Sequence, residues 1–306
     1  MDIRKFCRKY YLFITAICGI LLLAGCSVSK DKWINRKYHQ ITAHYNAYWN
    51  GKESYKEAIR TVEQNHKDDF TKIIPVMIMP DENTAKSIKS NTDRAIEKSS
   101  KVIKKHSMRF AGKEKNPEID DAYLLIGKSC LISRDFIGAE AAFKYIIANW
   151  KKTKQMYEPM LWLALTYTKQ GKFSESELMV KEVQKAIENK KADKSLSGFM
   201  LMISAENDIA QGKLASANEK ISLKKKKLFD KKNNIRLKFI QGQIYLQTKQ
   251  YNQAYKCFGY VYRHASDYQM QFTAKLNQSL CFESGDNRSI KAINDLENML
   301  DKDVNI

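Results

Sequence analysis

The sequence predicts an all-α fold in which helical hairpins stack into a solenoid. Glycine and proline, the two residues that most often interrupt helices, number only 12 and 4 among 306 residues. Leucine, isoleucine, lysine, glutamate, glutamine and alanine are abundant, and most of these residues favour helices. A pattern of large and small residues also recurs along the second half of the chain, which is typical of proteins built from repeated helix pairs.

The recurring pattern resembles the tetratricopeptide repeat, a helix-turn-helix unit of about 34 residues. The four regular units start at Asp120, Tyr157, Gly198 and Ile235. Small residues such as Gly127 and Ala139 in the first unit allow two helices to approach closely, and large residues fill the surrounding groove. With a degenerate fifth unit at 272–300, residues 119–300 are predicted to form four to five repeats in a right-handed superhelix.

The first 25 residues have the layout of a bacterial lipoprotein signal peptide. A basic region precedes the apolar stretch LFITAICGILLL, and the following LAGC at 23–26 resembles a lipobox. A retained membrane helix is the weaker alternative, because spanning a bilayer takes about 20 apolar residues. By this resemblance Cys26 becomes the lipidated first residue. Ser27 after it favours an anchor on the periplasmic face of the outer membrane.

Residues 26–118 are predicted to form irregular, divergent helical hairpins. Large side chains follow a helical stripe that we expect to be buried: Ile34, Tyr38, Ile41, Tyr45 and Tyr48. Gly51 then fits the turn of a first hairpin, because glycine tolerates the left-handed conformation that ends many helices. The stretch KIIPVMIMPDEN at 72–83 predicts an extended connection, since each proline restricts its own and the preceding residue.

The order of these parts is similar to the amino-terminal half of the PorW/SprE lipoproteins of type IX secretion and gliding motility. The matching residues of the opening block are Tyr45, Asn46, Tyr48, Asn50 and Gly51. Residues 124–128, which include Gly127, match a later block. The resemblance implies a scaffold that holds parts of the secretion machinery together on the periplasmic side of the outer membrane.

This family usually continues through many more repeats, whereas the present sequence ends at MLDKDVNI, where 301–306 are predicted to be a tail. An outer-membrane-protein assembly lipoprotein of the BamD type, or a generic envelope adaptor with such repeats, is the alternative. The BamD type has regular repeats starting near the anchor. Here about 90 residues of irregular helix come first, which favours the PorW/SprE interpretation.

Motifs for catalysis and for cofactor binding are absent from the sequence, which has no GxSxG, HExxH or phosphate-binding loop. His39 and His44 are five residues apart, so a helix points them in different directions and disfavours a metal site. The formal net charge is +19, but the run KKKK at 224–227 has no interleaved aromatic residues for base stacking. We therefore predict no enzyme activity, cofactor, metal, nucleic acid or small-molecule substrate, with anionic lipid or an acidic partner as an alternative use of the charge.

The concave surface of such a solenoid is the predicted binding site for protein partners in the cell envelope, because extended concave surfaces bind partner segments. Positions 2, 5, 9, 12 and 13 of each repeat line it. The candidate residues are Lys128, Leu131, Leu165, Lys169, Arg236, Phe239, Gln243 and Gln247. Their mixture of apolar and basic groups suits an amphipathic, somewhat acidic segment. For the apolar members, packing against neighbouring repeats is an equally good explanation.

Overall fold

The computed structural model describes residues 27–151, 153–223, 229–282 and 286–304. The signal peptide with Cys26, the KKKK run and the last two residues lie outside this part of the chain. The described residues form helical hairpins, which confirms the predicted all-α, tetratricopeptide-like solenoid class. Within them, no helix is both long enough and apolar enough to cross a membrane.

Two compact units divide the chain, and the first contains residues up to Asn65 together with Pro80–Pro159. Its opening helix runs as α1 (Trp33–Thr42), a π-helical segment (Ala43–Tyr48) and α2 (Trp49–Asn65). The helices that follow are α3 (Glu82–Ser87), α4 (Lys89–His106), α5 (Glu118–Ile132) and α6 (Phe136–Asn149). A two-stranded antiparallel hairpin, β1 (Arg109–Phe110) and β2 (Lys113–Glu114), connects α4 to α5.

The second unit comprises His66–Met79 and the residues from Met160 onwards. A short 3-10 turn (Lys154–Met156) leads into α7 (Tyr157–Lys169), most of which belongs to this unit. The remaining helices are α8 (Phe173–Glu188), α9 (Leu196–Ala210), α10 (Leu214–Ser222), α11 (Lys231–Gln247), α12 (Tyr251–His264), α13 (Tyr268–Ser279) and α14 (Asn287–Val304). Within this unit α9 packs on α10, α11 on α12, and α13 on α14.

These units differ from the predicted domains in two places. The first regular hairpin, α5 and α6, groups with the helices that precede it, so 118 is not a boundary in the contacts. The segment His66–Met79 groups instead with the later repeats. At the carboxy-terminal end, α14 continues to Val304, beyond the predicted end of the repeats at 300.

The predicted first hairpin is wrong, because Gly51 does not form a turn. The chain from Trp33 to Asn65 continues without a break through the π-helical segment. A Cβ atom at Gly51 would lie 3.2 Å from the carbonyl oxygen of Ala95 and 3.4 Å from the side chain of Leu125. Glycine is therefore required here for close approach of α2 to α4 and α5, not for a change of direction.

The predicted burial of the large stripe on this helix is also wrong for four of its five residues, and Tyr48 alone of the five is half-buried. Ile34 is 64% exposed and Tyr45 is 71% exposed, whereas Asn35 and His39 on the adjoining face are almost fully buried. These two polar side chains are accommodated because each has a partner. Asn35 donates to the Ser27 carbonyl oxygen at 2.7 Å, and the Nδ1 atoms of His39 and His106 are 3.0 Å apart.

Glycine and phenylalanine pack against each other at the same place in two of the repeats. A Cβ atom at Gly127 would lie 2.8 Å from Cδ1 of Phe143, and one at Gly242 would lie 2.6 Å from Cε1 of Phe258. Both phenylalanine rings are fully buried. The small residue at the eighth position of the repeat therefore makes room for a ring on the second helix of the same hairpin.

We expect Gly127→Ala and Gly242→Ala to lower the free energy of unfolding by about 1–3 kcal/mol, because the added methyl group must displace a buried ring. Helix propensity alone would favour alanine by about 1 kcal/mol, so a net loss identifies the clash. Urea denaturation followed by circular dichroism measures the effect. Lys185→Ala on an exposed helix surface is the control and should stay within about 0.5 kcal/mol. Higher stability in either glycine variant would show that the ring moves aside freely.

Candidate functional site

Several of the predicted groove residues lie together in the second unit, where they contact the segment His66–Met79. We call this stretch the clasped segment. It has no helix or strand of its own. The helices α7, α9 and α11 each supply at least one polar side chain that contacts it directly or supports such a contact.

A buried ion pair fixes the beginning of the clasped segment. Arg236 of α11 donates from Nη1 and Nη2 to the two carboxylate oxygens of Asp68, at 2.8 and 2.7 Å. Its Nε donates to the carbonyl oxygen of Pro75 at 2.8 Å. Both charged side chains are only 9% exposed. Paired bonds between a guanidinium and a carboxylate add strength and fix orientation, so this contact sets the register of the segment on α11.

Two further side chains bind the backbone of the clasped segment. Gln243 accepts from the Ile74 amide at 3.0 Å and donates to the Lys72 carbonyl oxygen at 2.6 Å. One carboxylate oxygen of Glu206 accepts from the amides of Val76 and Met77, at 2.7 and 3.2 Å. Lys169 of α7 donates to the other oxygen of Glu206. Backbone groups that would otherwise be buried without partners are thereby satisfied.

Apolar side chains of the clasped segment complete the contact. Ile74 and Val76 are almost fully buried in the same cluster as Phe239. Phe70 packs edge-on against Phe239 with ring centroids 5.3 Å apart, and Phe239 packs against Phe258 at 5.5 Å. The segment is therefore bound by backbone, charge and apolar contacts at once, which is how a groove holds an extended peptide.

The remaining groove candidates have different surroundings. Leu131 and Leu165 are fully buried, so in this structure neither is open to a partner. Lys128 is half-buried and pairs with Glu158 at 2.8 Å within the first unit, and Gln247 is exposed at the end of α11. Partner binding by these residues stays a prediction.

Sequence reasoning did not single out Glu206 or Asp68. Glu206 occupies position 9 of the third repeat, as Gln243 does in the fourth, so the same positional rule would have found it. No signal within the sequence connects Asp68 to Arg236, which is 168 residues away.

The residues of the opening block lie on the surface or in the packing of the first unit. Tyr45, Asn46 and Asn50 are exposed, and the Asn50 side chain donates to the carbonyl oxygen of Asn46 at 2.7 Å. Tyr48 is half-buried, and burial together with the charges of Asp121 and Glu118 raises the pKa of its phenol. In the part of the chain described here, no group of three or more His, Cys, Asp or Glu side chains is placed to hold a metal ion.

The fold and this surface define a helical-repeat protein whose repeats hold an extended segment. Neither the protein-family models nor the curated proteins compared with the chain give a match. Among solved structures, the chain is similar to one in the APC/C hetero-tetramer Cut9-Hcn1, with 13% identity over 84% of this chain and 48% of that chain, at a TM-score of 0.44. It thus spans about half of that protein. A tetratricopeptide repeat protein from Parabacteroides merdae is 16% identical over 90% of this chain and 97% of its own, at a TM-score of 0.43.

We expect the clasped segment to contribute to the stability of the second unit. Arg236→Met or Asp68→Asn should each lower the free energy of unfolding by about 3–5 kcal/mol, because each leaves a buried polar partner uncompensated. The double variant should lose less than the sum of the two single losses. Gln243→Leu should also be destabilising, whereas Gln247→Leu, an exposed glutamine on the same helix, is the control. Equal losses for the two glutamine variants would contradict the assigned contacts.

The same ion pair predicts a dependence of stability on pH. Burial disfavours the charged form of Asp68, but hydrogen bonds and charge from Arg236 and His66 outweigh it and hold the pKa of Asp68 below its usual range. A carboxyl group whose pKa is lower in the folded state contributes stability above its unfolded pKa of about 4, and this is lost as the pH falls through the folded pKa. Denaturation between pH 7 and pH 3 should therefore show an acid loss that is smaller in Asp68→Asn.

Proposed function

We propose that the protein is a non-catalytic scaffold that binds protein segments and is held by lipid on Cys26 at the periplasmic face of the outer membrane. The observation that carries the binding role is the clasped segment. The second unit binds amide and carbonyl groups of this segment between Lys72 and Met77, and such groups are present in every polypeptide.

The chemistry of this surface supports a particular kind of partner segment. Gln243 and Glu206 bind backbone, so they place few demands on sequence. Arg236 selects a carboxylate, and Phe239 selects an apolar or aromatic side chain near it. A partner segment that is extended and carries an acidic residue ahead of apolar ones fits this surface when it replaces His66–Met79. Contacts with Gln247 of α11 would extend the bound length.

The machinery that this scaffold serves is proposed from the sequence. The lipobox at Cys26 and the opening block around Tyr45 and Gly51 support a place in type IX secretion or gliding motility, as in the PorW/SprE lipoproteins. The alternative is outer-membrane-protein assembly, as in lipoproteins of the BamD type. The long amino-terminal helix ahead of the first regular hairpin favours the former.

We expect Cys26→Ala to abolish lipid attachment while leaving the repeats folded. Secretion or gliding by cells that carry this variant should fall, because tethering raises the effective concentration of a scaffold near its partners. Metabolic labelling with palmitate, membrane fractionation and circular dichroism measure lipidation, location and folding separately. An unlabelled wild-type chain, or an unlipidated variant that fully complements a deletion, would contradict the membrane-scaffold proposal.

Cross-linking and affinity purification of the tethered protein should recover outer-membrane components of secretion or motility. Recovery of the barrel-assembly machinery would favour the alternative. If the partner uses the surface of the clasped segment, Asp68→Asn should increase recovery, because the competing segment is held less firmly. Lys185→Ala, which changes an exposed side chain of α8 and leaves the clasped segment in place, is the control.

A further inference from the structure

The amino-terminal helix presents a row of large apolar side chains to its surroundings. Trp33 is 72% exposed, and five other side chains of the row are each at least 41% exposed. The row consists of Trp33, Ile34, Tyr38, Ile41, Tyr45 and Trp49. Exposed apolar side chains that occur singly are ordinary, but a contiguous patch of this kind marks an interaction site. We call this row the aromatic face.

Helix geometry keeps the aromatic face on one side over its whole length. Ile41, Tyr45 and Trp49 follow each other at intervals of four residues, and the wider turn of the π-helical segment between Ala43 and Tyr48 keeps them in line. The buried face, with Asn35 and His39, adjoins it. At about 1.5 Å per residue the aromatic face extends over roughly 25 Å.

The composition of the aromatic face fits the boundary layer of a membrane. Tryptophan and tyrosine concentrate there because each has an apolar body and a polar tip. Between residues 27 and 52 the sequence has five basic side chains and a single acidic one, Asp31. A helix with aromatic and aliphatic residues on one face and basic residues around it is typical of segments that lie in the plane of an anionic membrane surface.

The residue that follows the predicted lipid anchor is held against this same helix. The carbonyl oxygen of Ser27 accepts a hydrogen bond of 2.7 Å from the buried side chain of Asn35. Consecutive Cα atoms are only about 3.8 Å apart, so Cys26 starts within one residue of that contact. Acyl chains on Cys26 would therefore bring the membrane surface to α1, with no long linker between them.

We propose that the aromatic face lies in the interfacial layer of the phospholipid membrane and acts with the lipid on Cys26 as a second attachment. The proposal rests on the proposed anchoring at Cys26. Stable membrane attachment generally takes two signals, and the aromatic face supplies one that orients the protein as well. The membrane-proximal helix then has a fixed side toward the lipid, and its buried face holds the rest of the first unit.

The experiment fixes the tether chemically, so that it is independent of lipidation in the cell. The chain from Cys26 to Ile306 is coupled through Cys26 to a maleimide lipid in vesicles of phosphatidylethanolamine and phosphatidylglycerol. The other three cysteines are buried, and burial raises the pKa of the Cys130 and Cys281 thiols to about 12, which leaves Cys26 as the reactive one. Trp150→Phe and Trp162→Phe remove the two tryptophans outside the aromatic face.

The emission of Trp33 and Trp49 should shift to the blue and be quenched by lipids that carry bromine on their acyl chains. A second measurement compares untethered proteins. The triple variant Ile34→Gln/Ile41→Gln/Tyr45→Gln should bind the same vesicles at least about tenfold more weakly than the parent protein, since removing about 1.4 kcal/mol of apolar contact has that effect. The matched control changes exposed residues elsewhere, Ile137→Gln/Leu178→Gln/Tyr251→Gln, and should bind as the parent does. Circular dichroism confirms that both variants fold.

Absence of quenching in the tethered protein would overturn the proposal, as would equal vesicle affinity of the two triple variants. A concentration-dependent dimer in solution that the aromatic-face variant abolishes would also overturn it, because a second copy would then cover the face. Failure of lipid labelling at Cys26 in cells, with quenching retained in the tethered protein, would contradict the anchor and leave the membrane contact of the aromatic face standing.

Discussion

Extended backbone that is buried inside a helical protein must have its amide and carbonyl groups paired, and much of the second unit follows from that requirement. A helix satisfies its own backbone, but residues 66–79 have no helix or strand to do so. Glu206 and Gln243 take that role, and Arg236 adds a charge pair that sets the register. These polar side chains are buried on the inner surfaces of helices, where an apolar residue would otherwise be expected. Their presence is explained by the segment that they hold.

In the first unit, too, polar side chains are buried where apolar ones would be expected. Its leading helix buries Asn35, His39 and Gly51 and exposes the large side chains of the aromatic face. Small and hydrogen-bonded residues allow α2 to approach α4 and α5 closely, which a row of rings would prevent. The large side chains are then left on the outside. A surface of this kind is costly in water, so its position beside the predicted anchor is physically significant.

The sequence was a good guide to local structure and a poor guide to distant contacts. Gly127 and the ring that it meets belong to one hairpin, so a pattern within about 34 residues was enough to predict a close approach of two helices at that glycine. The connection at 72–83 was predicted to be extended because Pro75 and Pro80 restrict the backbone. Its binding site was not predicted, because the groups that hold it come from a separate part of the chain. Burial of the leading helix was predicted on the wrong face, since a hydrophobic stripe does not say whether protein or another phase will cover it. The line of small and polar residues at 35, 39, 43 and 51 was the signal for the true packing face.

The clasped segment also imposes an order on biosynthesis. Contacts in repeat proteins usually join neighbours, so each repeat can fold as it is made. Here Ile74 pairs with a side chain 169 residues later, and Val76 with one 130 residues later. At about 5–20 residues per second, the residues that cover the apolar side chains of this segment are made roughly 7–34 s later. During that interval they are exposed to aggregation and proteolysis, which contacts between neighbouring repeats alone would not cause.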